Sequence, residues 1–210
     1  MLELFLSAFI TLFVVLDPPG CAPIYAGLTS GASPQLKRSM AIRACVIAGA
    51  ILLVFALFGE RLLAALHIEL DSFRTAGGIM LFLIALDMVF EKRTQRREER
   101  AEKVIAEHEG PEVDDVSVFP MAMPMLAGPG AIASIMLLAG AADGIEEQLV
   151  VLAALLAVLV LTLLALLAAG PLMKLVGARV ETVVTRLLGV LLAALAAQYV
   201  FDGIRGSFGL

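Results

Sequence analysis

One carboxylate stands beside a helix-breaking sequence inside an apolar run. Asp17 is followed by two prolines and a glycine, Asp-Pro-Pro-Gly, within the apolar residues 4–28. Proline removes a backbone donor, and the residue before a proline is disfavoured in the α conformation. The pattern therefore predicts that the chain leaves the helix at Asp17 and Pro18 and that helix resumes near Cys21.

The Asp17 carboxylate has several chemical uses in such a setting. It can bind a substrate ammonium group, hold Na⁺ together with carbonyl groups freed by the break, or take up a proton. It can also do no more than cap the helix that resumes after it. These uses are compatible with one another, and the residues alone leave all of them open.

A second break is predicted in the fourth apolar run, at Ala-Gly-Pro-Gly, residues 127–130, after kinks at Pro120 and Pro124. A helix that restarts inside a membrane begins with unpaired N–H groups and the positive end of its dipole, which attract an anion. We expect such groups at residues 20–23 and 130–133. A substrate carboxylate is one example of such an anion.

These features define three sets of candidate residues. The substrate-binding set is Asp17, Gly20, Cys21, Tyr25, Gly128, Gly130 and Ser134. The ion-coupling set is Asp17 and Asp87. The helix-break set is Pro18, Pro19, Pro23, Pro124 and Pro129. Simpler interpretations stay open, since helix-packing hydrogen bonds explain Tyr25 and Ser134 equally well, and Asp87 can reach the membrane interface or pair with a nearby cation.

Composition identifies the elements that must position these residues. The chain has 210 residues, of which 60% are hydrophobic, and a mean hydropathy of +0.97. The runs are continuously apolar, so helices and not strands must satisfy the backbone. The sequence predicts an all-α polytopic membrane protein with six transmembrane helices, at residues 4–28, 42–60, 73–90, 117–140, 148–169 and 185–203.

The cations indicate how these spans are oriented. Alternate connections carry twelve of the fifteen: Lys37, Arg38, Arg43, Lys92, Arg93, Arg96, Arg97, Arg100, Lys103, Lys174, Arg179 and Arg186. Positive residues favour the cytoplasmic side. We therefore expect residues 91–115 to be a charged, solvated cytoplasmic loop and both termini to lie outside. A regulatory or partner-binding role for that loop is the alternative.

The two halves of the chain share short motifs. Pro19-Gly20 and Pro129-Gly130 are separated by 110 residues, and the following spans match at a similar offset. Three spans per copy is an odd number, so the second copy must enter from the opposite side. The sequence predicts two inverted-topology three-helix repeats, residues 1–90 and 116–210, with broken helices in spans one and four, as in many secondary transporters.

Several classes of protein are disfavoured. No basic patch contains aromatic residues, so nucleic acid is not an expected partner. Two cysteines are too few for a disulfide scaffold, and no histidine or cysteine cluster predicts a transition-metal site. We expect no enzymatic activity and no cofactor beyond a coupling ion, H⁺ or Na⁺. The expected partners are the lipid bilayer and a small solute, and the sequence allows a homo-oligomer.

Three motifs resemble the MarC family of bacterial inner-membrane proteins: Asp-Pro-Pro-Gly-Cys-Ala-Pro-Ile-Tyr at 17–25, Arg-Thr-Ala-Gly-Gly-Ile at 74–79 and Pro-Met-Ala-Met-Pro-Met-Leu-Ala-Gly-Pro-Gly-Ala-Ile at 120–132. The family is also called the small neutral amino acid transporter family and is grouped with the LysE-type exporters. The resemblance implies six spans, an outward N-terminus and transport of glycine- or alanine-like amino acids across the inner membrane.

These observations favour a secondary transporter or exporter of small neutral amino acids. The alternatives are a membrane stress or scaffold protein and an exporter of another small metabolite. A transmembrane thiol electron carrier is a weaker alternative, because Cys21 has Ala131 and not a cysteine as its counterpart, and thiol exchange requires a pair that can meet.

Overall fold

The computed structural model describes residues 1–90, 95–99 and 115–209, with the backbone alone for residues 171–182. These ranges are helical and contain no strand, which confirms the predicted all-α class. Within them, five helices are long and apolar enough to cross a membrane. Two segments bent by 55° against each other form a sixth candidate span.

The bundle is built from α-helices and one irregular segment. In chain order they are α1 (Leu2–Leu16), α2 (Pro18–Leu28), α3 (Pro34–Ala65), α4 (Leu70–Val89), the irregular segment (Ser117–Leu126), α5 (Pro129–Gly140), α6 (Gly144–Leu167) and α7 (Ala169–Phe208). Residues 95–99 form a short helical stretch after α4. The first span consists of α1 and α2 together, and the bent span consists of the irregular segment and α5.

Contacts between helix termini define two ends of the bundle. At one end Arg43 of α3 forms a salt bridge with Asp115, with an N–O distance of 2.7 Å. At the other, a methyl group added to Gly140 would stand 3.0 Å from Leu70 Cδ1. We call the first the loop end, because α2 ends there and both α3 and the irregular segment begin there, and the second the terminal end.

The first span is interrupted at a single residue. Asp17 has left-handed backbone angles (φ 55°, ψ 62°), whereas Pro18 already begins α2. The prediction that Pro18 also leaves the helix, and that helix resumes only near Cys21, is wrong. Proline is tolerated in the first turn of a helix because its missing N–H is not needed there. The two prolines therefore start the second helix.

The fourth span is more irregular than the two predicted kinks at Pro120 and Pro124 would make it. Phe119 and Met123 have extended backbone angles, as expected for residues that precede proline, and the Phe119–Pro120 and Met123–Pro124 peptide bonds are cis. Regular helix begins only at Pro129. A Cβ atom at Gly128 would overlap the carbonyl oxygen of Pro124, so glycine is required where the chain turns into α5.

Helices α4 and α7 pack closely through glycines. A methyl group added to Gly78 would stand 2.9 Å from the Ala196 carbonyl oxygen, and one added to Gly189 would stand 2.9 Å from Met88 Cβ. Small residues allow helix backbones to approach within a membrane, where the hydrophobic effect does not drive association. This pair closes the side of the bundle next to the broken spans.

Candidate functional site

Asp17 performs the capping role at the break in the first span. One carboxylate oxygen, Oδ1, accepts a hydrogen bond from the Gly20 N–H at 3.2 Å. The Asp17 carbonyl accepts from the Cys21 N–H at 3.0 Å. Since the two preceding helical residues are prolines, the first N–H groups of α2 are thus taken by Asp17 itself. The prediction of free N–H groups for an anion at residues 20–23 is wrong.

The other carboxylate oxygen of Asp17 binds an arginine from 80 positions later in the chain. Arg97 Nη1 lies 2.9 Å from Asp17 Oδ2. The arginine side chain is 8% exposed and the aspartate side chain 3%. Two ions withdrawn from solvent in this way must be paired, because an isolated buried charge costs several kcal/mol.

A small cavity lies directly against this ion pair. Its volume is about 280 Å³, and the lining residues come from α1, α4, the 95–99 stretch and both parts of the bent span. They are Val15, Ile84, Asp87, Arg96, Arg97, Pro124, Met125, Gly128, Pro129, Gly130 and Ala131. The cavity is thus built where the first and fourth spans meet, and a methyl group added to Gly130 would stand 3.6 Å from Val15 Cγ1.

A second ion pair forms part of the cavity wall. Arg96 Nη1 donates to Asp87 Oδ2, and the aspartate side chain is 25% exposed. Together with the pair of Asp17 and Arg97, the site brings two carboxylates and two guanidinium groups into one region. The charges of the four side chains balance, so the site has no excess of either sign.

The start of α5 contributes backbone donors to the same cavity. Gly128 precedes the helix and offers no side-chain cap, and Gly130 and Ala131 line the cavity. The first N–H groups of a helix have no partner within the helix. Of the two predicted anion-binding helix starts, the one in the fourth span therefore faces a cavity.

Of the predicted substrate-binding residues, only Gly128 and Gly130 line the cavity, and Asp17 meets it through Arg97. The other four lie elsewhere. Tyr25 is buried and its hydroxyl donates to the Lys37 carbonyl, at the loop end of the bundle. Cys21 is buried, and its thiol lies 3.4 Å from the Leu16 carbonyl oxygen. Gly20 contacts Asp17 behind the ion pair. Ser134 is fully buried, one turn beyond Gly130 on α5, and its hydroxyl has no hydrogen-bond partner among the described residues.

The predicted helix-break prolines divide between the site and its surroundings. Pro124 and Pro129 line the cavity. Pro18 and Pro19 open α2 next to Asp17, and Pro23 lies within that helix.

Arg97 lies in the candidate site although its position in the sequence did not predict this. The prediction of a solvated loop at 91–115 is wrong for Arg97, which is buried against Asp17, whereas residues 91–94 and 100–114 lie outside the described residues. One signal was available: a carboxylate predicted deep in an apolar span requires a cation. Several arginines follow α4, and the sequence does not distinguish among them.

The apolar helices and the interrupted spans define an integral membrane protein of the polytopic class. The chain belongs to the MarC family: residues 2–208 match the family described as MarC family integral membrane protein. It is 37% identical over 206 residues to a UPF0056 membrane protein of Methanocaldococcus jannaschii, covering 98% of each chain. It is 32% identical to the UPF0056 membrane protein YvbG of Bacillus subtilis, covering 99% of this chain and 97% of the relative.

The chain is also 31% identical to the UPF0056 inner membrane protein YhgN of Escherichia coli, covering 95% of each chain. No solved structure matches the chain. Membership of this family confirms the resemblance found in the sequence and places the protein in contact with a lipid bilayer.

Proposed function

We propose that the protein is a secondary transporter or exporter of small neutral amino acids across the inner membrane. The observation that carries the proposal is the buried pair of Asp17 and Arg97 beside a small cavity between the two broken spans. Interrupted helices that meet deep in the bundle are where secondary transporters bind their solutes.

The balance of charge favours a zwitterion. A solute with an ammonium and a carboxylate group can exchange partners with an internal ion pair: its ammonium takes the place of Arg97 at Asp17, and its carboxylate binds the released guanidinium. No charge is then left uncompensated at any stage. A solute with a net charge would leave an uncompensated charge beside Asp17 and Arg97, which is costly because these two side chains are buried.

The start of α5 supports the same assignment. The N–H groups of Gly130 and Ala131 offer donors to a carboxylate at the positive end of the helix. The cavity of about 280 Å³ is below the range of about 300–1,000 Å³ typical of pockets for drug-sized ligands. Its apolar walls, Val15 and Ile84, suit a short side chain such as that of glycine or alanine.

The inverted repeat is part of the proposal. Each broken span is the first of three, and the pairing of the two breaks across one cavity is the arrangement that a pseudo-two-fold axis would produce. Coupling to H⁺ or Na⁺ is proposed at the carboxylates of Asp17 and Asp87. The reaction is carriage without covalent chemistry, so no enzymatic role is proposed.

A thermal-shift screen of the purified protein in detergent tests the proposal. The panel contains glycine, alanine, serine, threonine and branched-chain amino acids, with and without Na⁺, at two pH values. A ligand at about 100 times its Kd adds roughly 2.7 kcal/mol to stability. We expect one small amino acid to raise the Tm of the native chain, and Asp17→Asn to abolish that rise.

Asp143→Asn is the matched control, because Asp143 is an exposed carboxylate that caps no backbone group through its side chain. It should retain the ligand response. A folded protein that no amino acid stabilises would contradict the proposal and direct attention to another metabolite or to a scaffold role.

A further inference from the structure

A groove runs along the outside of the bundle between two antiparallel helices. Helix α3 begins at the loop end and α6 finishes there. The groove has two parts, a basic cavity at the loop end and an apolar channel that continues from it toward the terminal end. Neither part belongs to the site between the broken spans.

The basic cavity has a volume of about 500 Å³ and carries two cations, Lys37 and Arg38, from the first turns of α3. Among the described residues, neither cation lies within salt-bridge distance of a carboxylate. Tyr25 and Thr29 line the same cavity. The cavity therefore offers positive charge that no carboxylate of the described ranges neutralises.

The channel has a volume of about 340 Å³ and a lining that is almost entirely apolar. It is formed by Ile42, Cys45, Val46, Gly49 and Leu53 of α3 and by Leu152, Leu155, Leu156, Leu159, Val160 and Leu163 of α6. From Ile42 to Leu53 a helix rises roughly 16 Å at about 1.5 Å per residue. One leaflet of a bilayer core of about 30 Å is about 15 Å deep, so the channel matches one leaflet.

The two parts lie on one continuous face. On α3, Arg38 of the cavity and Ile42 of the channel are one turn apart. On α6, Leu167 of the cavity and Leu163 of the channel are also one turn apart. Residues one turn apart share a helix face, so the cavity and the channel adjoin along both helices. Midway along the channel, a methyl group added to Gly49 would stand 3.0 Å from Leu159 Cδ1. The small residue leaves a depression there between the helices.

We infer that this groove binds one phospholipid with an anionic headgroup. The phosphate lies against Lys37 and Arg38, and one acyl chain lies along the channel. Basic cavities between transmembrane helices at the cytoplasmic side recognise anionic headgroups in this way, and the positive-inside rule assigns the loop end to that side. The inference needs only the membrane location of the chain and is independent of the proposed transport function.

A second copy of the chain fits the groove less well. A symmetric dimer contacts through the same patch on both subunits. With both subunits oriented alike in the membrane, contact through this groove would bring the Lys37 and Arg38 pairs of the two subunits to the same level. Four like charges would then face one another, whereas a lipid phosphate would bring one negative charge to the two cations of a single subunit.

The test measures the Tm of delipidated protein in a neutral detergent with dioleoylphosphatidylglycerol, dioleoylphosphatidylcholine or inorganic phosphate. We expect the anionic lipid to raise the Tm at lower concentration than the zwitterionic lipid, and native mass spectrometry to show one retained lipid. About 1 kcal/mol per basic residue near the surface corresponds to about fivefold in affinity. Lys37→Gln with Arg38→Gln should therefore weaken binding about thirtyfold.

Two matched controls separate the parts of the groove. Arg61→Gln removes a cation at the terminal end and should leave lipid affinity unchanged. Val46→Phe fills the channel and should reduce binding of both lipids, whereas Val54→Phe, an exposed position outside the channel lining, should not.

Equal stabilisation by the two lipids would overturn the inference, as would unchanged affinity in the double variant. If inorganic phosphate alone raises the Tm as much as the anionic lipid does, the cavity binds free anions and the inference of a lipid site is wrong. A dimer by light scattering that Val46→Phe dissociates would assign the groove to a second copy.

Discussion

The carboxylate of Asp17 accepts a hydrogen bond from the Gly20 N–H through one oxygen and binds Arg97 through the other. The same residue adopts the left-handed conformation that lets one helix end and the next begin. Asparagine tolerates that conformation and also caps helices well. Asp17→Asn therefore removes the charge while it preserves the backbone and the cap.

Asp17→Asn removes the carboxylate charge that the buried Arg97 guanidinium binds at 2.9 Å. Breaking a buried pair from one side typically costs about 3–5 kcal/mol. We expect Asp17→Asn and Arg97→Gln each to lower the Tm substantially, and the double variant to lose less than the sum of the two. Reaction of the two buried cysteines with a thiol-reactive fluorophore during heating would measure this.

Asp17→Ala provides the comparison, because it removes both the charge and the cap. It should be less stable than Asp17→Asn by about 1 kcal/mol. Additive losses in the double variant would contradict a direct interaction between Asp17 and Arg97.

The environment of Asp115 predicts how the stability of the folded state depends on pH. Burial raises the pKa of its carboxyl, but the hydrogen bond that the Ser117 N–H donates and the nearby Arg43 outweigh that effect and lower the pKa below its ordinary value of 3.8. A lowered pKa stabilises the folded state above the ordinary value, and the contribution is lost as pH falls through the folded value. We expect a small loss of stability below about pH 4.

Asp115→Asn tests this effect. Because the pair with Arg43 is largely exposed, the change in Tm at neutral pH should be small. The difference between the variant and the native chain should shrink as the pH falls below about 4. If the difference in Tm stays constant across that range, protonation of Asp115 does not affect the stability of the folded state.

At the scale of elements, the sequence predicted the spans well and their interruptions in part. Long apolar runs determine where helices lie, and the six predicted ranges overlap the five helices and the bent pair. The exact restart of α2 was mispredicted because proline chemistry allows two outcomes, a break or a helix start. Local sequence does not distinguish these outcomes.

The partner of Asp17 was beyond sequence reasoning for a different reason. Arg97 is 80 residues away, and the contact depends on how α4 and the chain after it return toward α1. Several arginines lie in the connection after α4, and their charge alone does not show which of them binds Asp17. Only the packing of the helices selects it.

The glycine contact between α4 and α7 supports a prediction at the same scale. Gly78→Leu would place side-chain atoms against the Ala196 carbonyl oxygen and the Val200 backbone nitrogen, each 2.9 Å from an added Cβ, and a backbone yields little. We expect a loss of about 1–3 kcal/mol. Thermal unfolding in detergent measures it.

Ala76→Leu is the matched substitution on the exposed face of α4. It should have little effect on Tm. Equal effects of Gly78→Leu and Ala76→Leu would show that close contact between the two helices does not contribute to stability.

For the whole molecule, the positive-inside rule predicts which end faces the cytoplasm. Ser30 lies exposed at the loop end and Ser207 lies exposed at the terminal end. In intact cells, a membrane-impermeant maleimide should label Ser207→Cys. It should label Ser30→Cys only after permeabilisation, because the positive-inside rule predicts that the loop end faces the cytoplasm. The native Cys21 and Cys45 are buried, so the unsubstituted chain serves as the blank.

Labelling of Ser30→Cys in intact cells, with Ser207→Cys protected, would reverse the orientation. It would also place the basic groove of α3 and α6 in the outer leaflet.

The pairing of Asp17 with Arg97 also has an electrical consequence. Membrane voltage acts on net charge, at about 2.3 kcal/mol per elementary charge per 100 mV. A carboxylate and a guanidinium held 2.9 Å apart form a dipole too short for that field to drive. While the pair is intact, it presents no net charge for the membrane potential to act on, and the proposed exchange with a zwitterion would leave that balance unchanged. Entry of a lone coupling ion, as proposed above, would make the site sensitive to voltage.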